Sequence, residues 1–397
     1  MSSNAAQCPV HQGRDDRKSG KLADAMLTPI KGSRMVGDFN AAREIYRSPK
    51  ARQWGATSHE VDLSKPDEIS FFFLDGEEHR KRRGAVAGMF AAKTVVTRHR
   101  AVMDSTMDKI EAKIRKGPCA LDELSWQMAV DVAAYIIGLT NSDSNEDLAQ
   151  RVKSVLDSQI ERKPGWFNDL LFKLKMGLRV RKFWQHDLVP AMNARRKDPK
   201  DDVISFMVTN GYSNKSIIME CLSYGGAGMM TTREFIVMAA WHLFEKDALR
   251  ERFLTGGEDD QLAILEEILR LEPVASLNHR RAAEDIDGIK LGEVKEGEIL
   301  CLNIREMNTD EAITGPCPYE LDPDRAKRMK VIGPYMSFGD GPHRCPGAQV
   351  ALHETRVFLD RMFRLPGIRL ISEPTVSWNP FIQGYELRGA VVGCDAA

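Results

Sequence analysis

Asn214 to Phe244 is a continuous apolar-rich stretch, and it constrains the fold more than any other part of the chain. Its pattern predicts one helix, about 45 Å long at roughly 1.5 Å per residue. A helix of that length within a single domain serves as a spine. Gly225, Gly226 and Gly228 stand near its middle. Glycine weakens a helix there, and a weakened turn can open a groove for a ligand.

Much of the remaining chain reads as helix. Phe39 to Arg47, Glu77 to Phe90, Leu121 to Leu139, Gln261 to Leu271 and Gly347 to Phe363 all carry helical patterns. Asp169 to Arg195 is a long amphipathic segment, and Pro190 predicts a kink in it. Strand-like pieces come late. Ile289 to Leu302 reads as a hairpin punctuated by Lys295-Glu296-Gly297, and Ile368 to Val392 as short strands around Asn379-Pro380. With no internal repeat and no linker, the expected architecture is one large, mainly α domain with a minor β part.

Charge and cysteine usage narrow the function classes. A net charge of -1 argues against a nucleic-acid binder held by overall positive charge. Residues 1–13 hold no apolar run and no later stretch reaches transmembrane length. No signal peptide, anchor or membrane partner is therefore expected, and the expected compartment is the cytoplasm. The seven cysteines, at 8, 119, 221, 301, 317, 345 and 394, form no CxxC pair. That predicts mostly free thiols, and the lack of CxxCH excludes covalent c-type haem attachment.

The densest motif is Phe338-Gly339-Asp340-Gly341-Pro342-His343-Arg344-Cys345-Pro346-Gly347, directly before a helix. A cysteine there has its thiolate favoured by backbone N–H groups, the helix dipole and the neighbouring His343 and Arg344. The glycines let the backbone pass close to a flat ligand. A thiolate with one free face suits a single axial bond to haem iron. A dinucleotide loop would need glycine where Arg344 stands, and a zinc site would need a second ligand pair. The plain alternative is a buried cysteine in a glycine-rich turn.

This segment resembles the cysteine-loop signature of the cytochromes P-450, matching it at Phe338, Gly341, His343, Cys345 and Gly347. Other segments resemble family motifs in the family's order. Glu267-Ile268-Leu269-Arg270 is similar to the E-x-x-R motif, and Arg325 is the candidate third partner. Asp75 to Arg83 resembles the D-P-P-E-H helix with both prolines replaced, by Gly76 and Glu77. His79 and Arg83, one turn apart, match its propionate-gripping pair. Arg280 resembles the propionate arginine, with Arg281 beside it as the alternative register, and His343 is the remaining propionate partner. Ala227, Gly228, Thr231 and Thr232 match the oxygen-binding groove, but Met230 stands where the family carries an acid. The likeness runs from about Asp38 to Arg388. Residues 1–37 are expected to be a poorly matched segment and 38–397 the haem-binding domain.

The resemblance implies a P450 fold with the long helix over haem b, and Cys345 as the iron ligand. It implies insertion of one atom of O2 into a small, hydrophobic organic substrate, with electrons from a ferredoxin-type donor and its separate reductase. Thr231 would hold a hydroxyl or a water at the distal oxygen. A thioether has no proton to give. Protons are therefore expected through water or Glu234, unless the enzyme uses peroxide directly or catalyses a reaction other than simple hydroxylation. Substrate-facing candidates by analogy are Phe72, Phe73, Ala227, Val274, Leu277 and Phe381. Arg80, Lys81, Arg82 and Arg344 form the expected positive face for the donor. A haem sensor or carrier without turnover is the competing class.

Overall fold

The computed structural model describes residues 15–55, 58, 62, 64–160 and 165–395. The expected spine is present in three continuous parts: α-helix Asn214–Tyr224, π-helix Gly225–Met230 and α-helix Thr231–Glu245. The three mid-helix glycines thus widen the turn without ending the helix, since the π geometry adds one residue per turn. Ser213 caps the start by accepting from the Ser216 N–H. From Thr232 to Leu243 every residue is buried, as a spine requires.

Helix Leu121–Ile137 is apolar on nearly all sides and packs against both the π segment and Thr231–Glu245. Arg100–Ile114 covers its other side, and Ala348–Phe363 closes the layer against Arg100–Ile114 and the spine. Trp166–Phe183 leads through a π turn, Trp184–Leu188, into Val189–Lys197. The irregularity expected at Pro190 is therefore a π turn just before it, which accommodates the missing proline N–H.

The strands are β1 Arg34–Val36, β2 Ala51–Trp54, β3 Cys119–Ala120, β4 Leu277–Ala282, β5 Ile299–Asn303, β6 Arg369–Ser372, β7 Thr375–Asn379, β8 Gly384–Arg388 and β9 Val391–Gly393. The largest sheet has the order β1-β5-β4-β2, with β1 parallel to β5 and the other pairs antiparallel. The expected hairpin within 289–302 forms differently. Lys295-Glu296-Gly297 does turn the chain, but β5 pairs with β4, and residues 286–294 contribute only the bridge Ile286–Val294. Buried Leu300, Cys301 and Leu302 take β4 on one edge and β1 on the other. The turn around Asn379-Pro380 does join two paired strands, β7 and β8.

A second, smaller apolar cluster lies between this sheet and helix Phe39–Arg47. Residues before 38 reach into the body: β1 is a sheet edge, and the Ser19 hydroxyl and Lys18 N–H donate to the buried Glu272 carboxylate. Cys119, Cys221, Cys301, Cys345 and Cys394 are free thiols, whereas Cys317 is disulfide-bonded. No helix among the described residues is long and apolar enough to cross a membrane.

Candidate functional site

Cys345 sits just before helix Ala348–Phe363, whose N-cap is Gly347. Its N–H donates to the Phe338 carbonyl (2.9 Å), closing the loop on itself. Burial among protein atoms pushes the Cys345 thiol up, opposed by the Gly347 N–H and by the Arg83 and Arg344 charges. The side chain is nonetheless exposed to solvent-sized space. Exposure of a thiol deep in a fold means that one face is open. Gly341 has φ 69°, and a Cβ there would overlap the Tyr46 carbonyl, so the loop lies against helix Phe39–Arg47 only with glycine.

Arginines and histidines gather around the loop. Helix Gly76–Val86 begins at Gly76 with φ 70°, a conformation closed to proline, so the departure from the proline motif has a backbone consequence. His79 is 1% exposed, and neither of its ring nitrogens has a partner among the described residues. Its ring stacks on His343 at 4.1 Å. Burial, then the neighbouring His343 and Arg83, push its pKa down to about 4. Arg83 donates to the Arg344 carbonyl, and its pKa too is lowered by burial. Arg280 is 3% exposed, with its guanidinium over the Tyr46 ring and one hydrogen bond, to the His279 carbonyl (2.8 Å). Arg281, one position on, points outward and lies over Trp54. Asp75, which sequence reasoning passed over, accepts from His343 Nε2 at 2.9 Å and its charge also reaches Arg280.

The spine supplies an apolar face. Its middle turn is buried at Gly225, Gly226, Met229 and Met230, but Ala227 and Gly228 are exposed. A Cβ on Gly228 would meet nothing within 4 Å. Thr231 is half-buried and donates its hydroxyl to the Ala227 carbonyl at 2.6 Å; Thr232 is buried. Met230 points into the core at 1% exposure. Glu234 does not serve the groove. Its buried carboxylate accepts from Arg233 (2.7 Å), the Leu387 N–H (2.7 Å) and Arg388 (2.9 Å), on the side of β8.

Glu267 and Arg270 are buried and bidentate, at 2.7 and 2.8 Å. Arg325, 1% exposed, donates to Glu267 at 3.2 Å and to the carbonyls of Thr314, Pro316, Cys317 and Glu320. Arg270 reaches the carbonyls of Asn308, Pro318 and Glu320. The triad thus fastens helix Glu258–Leu271 to residues 308–325, which lead into the cysteine loop.

The sequence model of the family described as Cytochrome P450 matches residues 262–365, the stretch from this triad through Cys345. The chain is 24% identical to the Biotin biosynthesis cytochrome P450 of Bacillus subtilis (strain 168), over 78% of this chain and 76% of that one. It is 24% identical to Cytochrome P450(MEG) of Priestia megaterium, over 88% of this chain and 81% of that one. The crystal structure of P450BioI in complex with hexadec-9Z-enoic acid ligated Acyl Carrier Protein superposes with a TM-score of 0.76. Its identity is 18%, with coverage of 96% of this chain and 98% of that one. The chain is a cytochrome P450 of the bacterial type. As a P450 monooxygenase it works with haem iron, O2 and an organic substrate.

Of the substrate-facing candidates in this P450, Phe381 lies against the groove, since a Cβ on Gly226 would sit 3.0 Å from its ring. Phe73, Val274 and Leu277 are buried, and half-buried Phe72 is edge-on to Phe73 at 5.0 Å. Two contacts escaped sequence reasoning: Val152 and Leu156, 3.5 and 3.6 Å from the Cβ positions of Gly225 and Gly226. They place helix Asn145–Ile160 directly on the π turn; no motif marks such residues. Of the expected positive face, Arg80 and Lys81 are exposed and Arg344 half-buried. Arg82 is buried instead, donating to Glu78 (2.7 Å) and the Ile69 carbonyl (3.1 Å).

Proposed function

We propose that this P450 inserts one oxygen atom from O2 into a small hydrophobic substrate, with haem b as cofactor and a ferredoxin-type protein as electron donor. One observation carries the reading. An open-faced thiol, a cluster of arginines and imidazoles with a single acid among them, and a helix turn stripped of side chains occur in one fold. Arg280, His79 and His343 share Asp75 while Arg83 faces no acid, and the orphaned His79 nitrogens suit an added carboxylate. A group with two propionates fits that chemistry. Cys345 would ligate the iron, and Phe338, Gly341 and Gly347 would shape the loop beneath it. Thiolate-bound haem iron supplies the binding and reductive activation of O2, which no side chain provides.

The remaining chemistry falls to side chains. Thr231 already spends its hydroxyl proton on Ala227, so its oxygen lone pairs are free to accept from a water. It holds the proton carrier, and Ala227 and Gly228 leave room for it. Met230 gives no proton, and Glu234 is committed to Arg233 and Arg388. Protons therefore reach Thr231 along water. Phe381, Val152 and Leu156 pack on the π turn at Gly225 and Gly226, so the side chains beside the exposed Ala227 and Gly228 are apolar, which favours an apolar substrate. Arg80 and Lys81 offer the exposed positive charge that an acidic electron carrier would meet.

Met230 is the one observation that favours a second reading, a peroxygenase, because peroxide brings its own electrons and protons. A substrate found by spin-state shift decides between them. Turnover with NAD(P)H, reductase, ferredoxin and O2 supports the monooxygenase. Turnover with peroxide far above that of several ferredoxin systems would replace it with the peroxygenase.

A further inference from the structure

Large apolar side chains on the surface are not scattered evenly. Half of those exposed among the described residues lie on the single helix Trp166–Phe183: Trp166, Phe167, Leu170, Leu171, Leu174 and Leu178. Trp166 is 81% and Leu178 61% exposed. At roughly 100° per residue these six fall within about 140° of arc. Phe172, Met176 and Phe183 lie opposite them, on the side that packs against neighbouring helices including Asn145–Ile160. The helix is therefore apolar on two faces, and protein covers one.

Charge identifies what suits the other. The helix carries Lys173, Lys175, Arg179, Arg181 and Lys182 against one acid, Asp169, in a chain whose net charge is -1. Lys173 borders one edge of the apolar arc, and Lys175 and Lys182 border the other; all three are exposed, and exposed Arg181 ends the arc one turn beyond Leu178. Asp169 falls on the packed side. A straight apolar stripe led by Trp and Phe, with lysine stems on both flanks, is the pattern of a helix lying in a bilayer interface.

We infer that helix Trp166–Phe183 docks this P450 onto an anionic lipid surface, with its apolar arc in the acyl boundary and its lysines at the phosphates. No helix among the described residues is long and apolar enough to span a membrane, and none needs to: the contact is peripheral. Because the neighbouring helix Asn145–Ile160 rests on the π turn through Val152 and Leu156, docking places the bilayer one helix away from the groove.

The test uses the full haem-loaded chain in vesicle flotation. Vesicles of phosphatidylcholine alone are compared with an equimolar mixture of phosphatidylcholine and phosphatidylglycerol. The mixture should retain the protein and the neutral vesicles should retain it weakly. Leu174→Glu with Leu178→Glu should lower partitioning at least about tenfold. Lys173→Gln and Lys182→Gln should each lower it roughly fivefold on anionic vesicles only. All these positions are exposed, so the haem spectrum and melting temperature should stay as in the wild type. Absence of wild-type flotation, or flotation indifferent to the leucine changes, overturns the inference. So does a wild-type protein that ignores vesicles but self-associates, or binds an acidic carrier protein, through Leu174 and Leu178.

Discussion

Arg280→Leu should move haem binding and the stability of the haem-free protein in opposite directions. Arg280 is 3% exposed, its charge is desolvated, and its one side-chain hydrogen bond goes to the His279 carbonyl. In the haem-free protein, removing it forfeits about 1 kcal/mol of hydrogen bond and a comparable cation–π contact with Tyr46. It also relieves a buried cation whose desolvation costs several kcal/mol. The haem-free unfolding midpoint should therefore hold or rise. Against a propionate, the same guanidinium makes charge-assisted bonds of about 1.5–3 kcal/mol. Haem affinity should fall roughly 10- to 150-fold. Arg281→Leu removes only an exposed cation over Trp54 and should change both quantities little. The assay is haem transfer to excess apomyoglobin, beside thermal melts of the haem-free variants. Faster haem loss from Arg281→Leu than from Arg280→Leu refutes the register. Equal destabilisation of haem-free and haem-loaded Arg280→Leu makes the arginine structural instead.

His279 is buried, held down to about pKa 4 by burial and the adjacent Arg280, and accepts the Ile30 N–H at 3.4 Å. The unfolded chain gains a proton below about pH 6.5 while the folded one does not, so its contribution is lost as pH falls from there to 4. His279→Gln should flatten the slope of melting temperature against pH across that window; an unchanged slope contradicts the assignment. Glu220 is buried with its carboxyl pushed up to about 7, so its stability cost is absent at pH 4 and grows as pH rises through 7. Glu220→Gln should raise stability by up to roughly 3 kcal/mol at pH 8 and little at pH 4, read by denaturant melts at both. Thr231→Ala removes the hydroxyl that holds a water in the groove. NAD(P)H consumption with surrogate partners should persist while the product fraction falls and peroxide rises; unchanged coupling would remove Thr231 from proton handling.

The spine was legible because a long apolar run with central glycines has few other solutions, and the structure places its π turn on those glycines. The pieces of the triad, Glu267, Arg270 and Arg325, were legible only through the family resemblance, since a Glu–Arg pair at that spacing alone reads as a surface ion pair; their burial together is what the structure adds. Burial separates Arg280 from Arg281, and no periodicity in a short strand could have done so. The hairpin expected within 289–302 shifted because strand pairing is decided by long-range partners, here β4 and β1. Glu234 looked available one turn beyond Met230, but Arg388 and the Leu387 N–H, far along the chain, hold its carboxylate. Asp75 was missed because an acid before a helix reads as a cap; its side chain makes no cap bond and accepts from His343 instead.

The central claim is that Cys345 ligates haem iron as a thiolate. The reduced, haem-loaded protein exposed to carbon monoxide should show the strongly red-shifted Soret band of thiolate-ligated haem, and Cys345→Ala should lose that band. Persistence of the band in Cys345→Ala, or its absence from the wild-type protein, would contradict the account at its base.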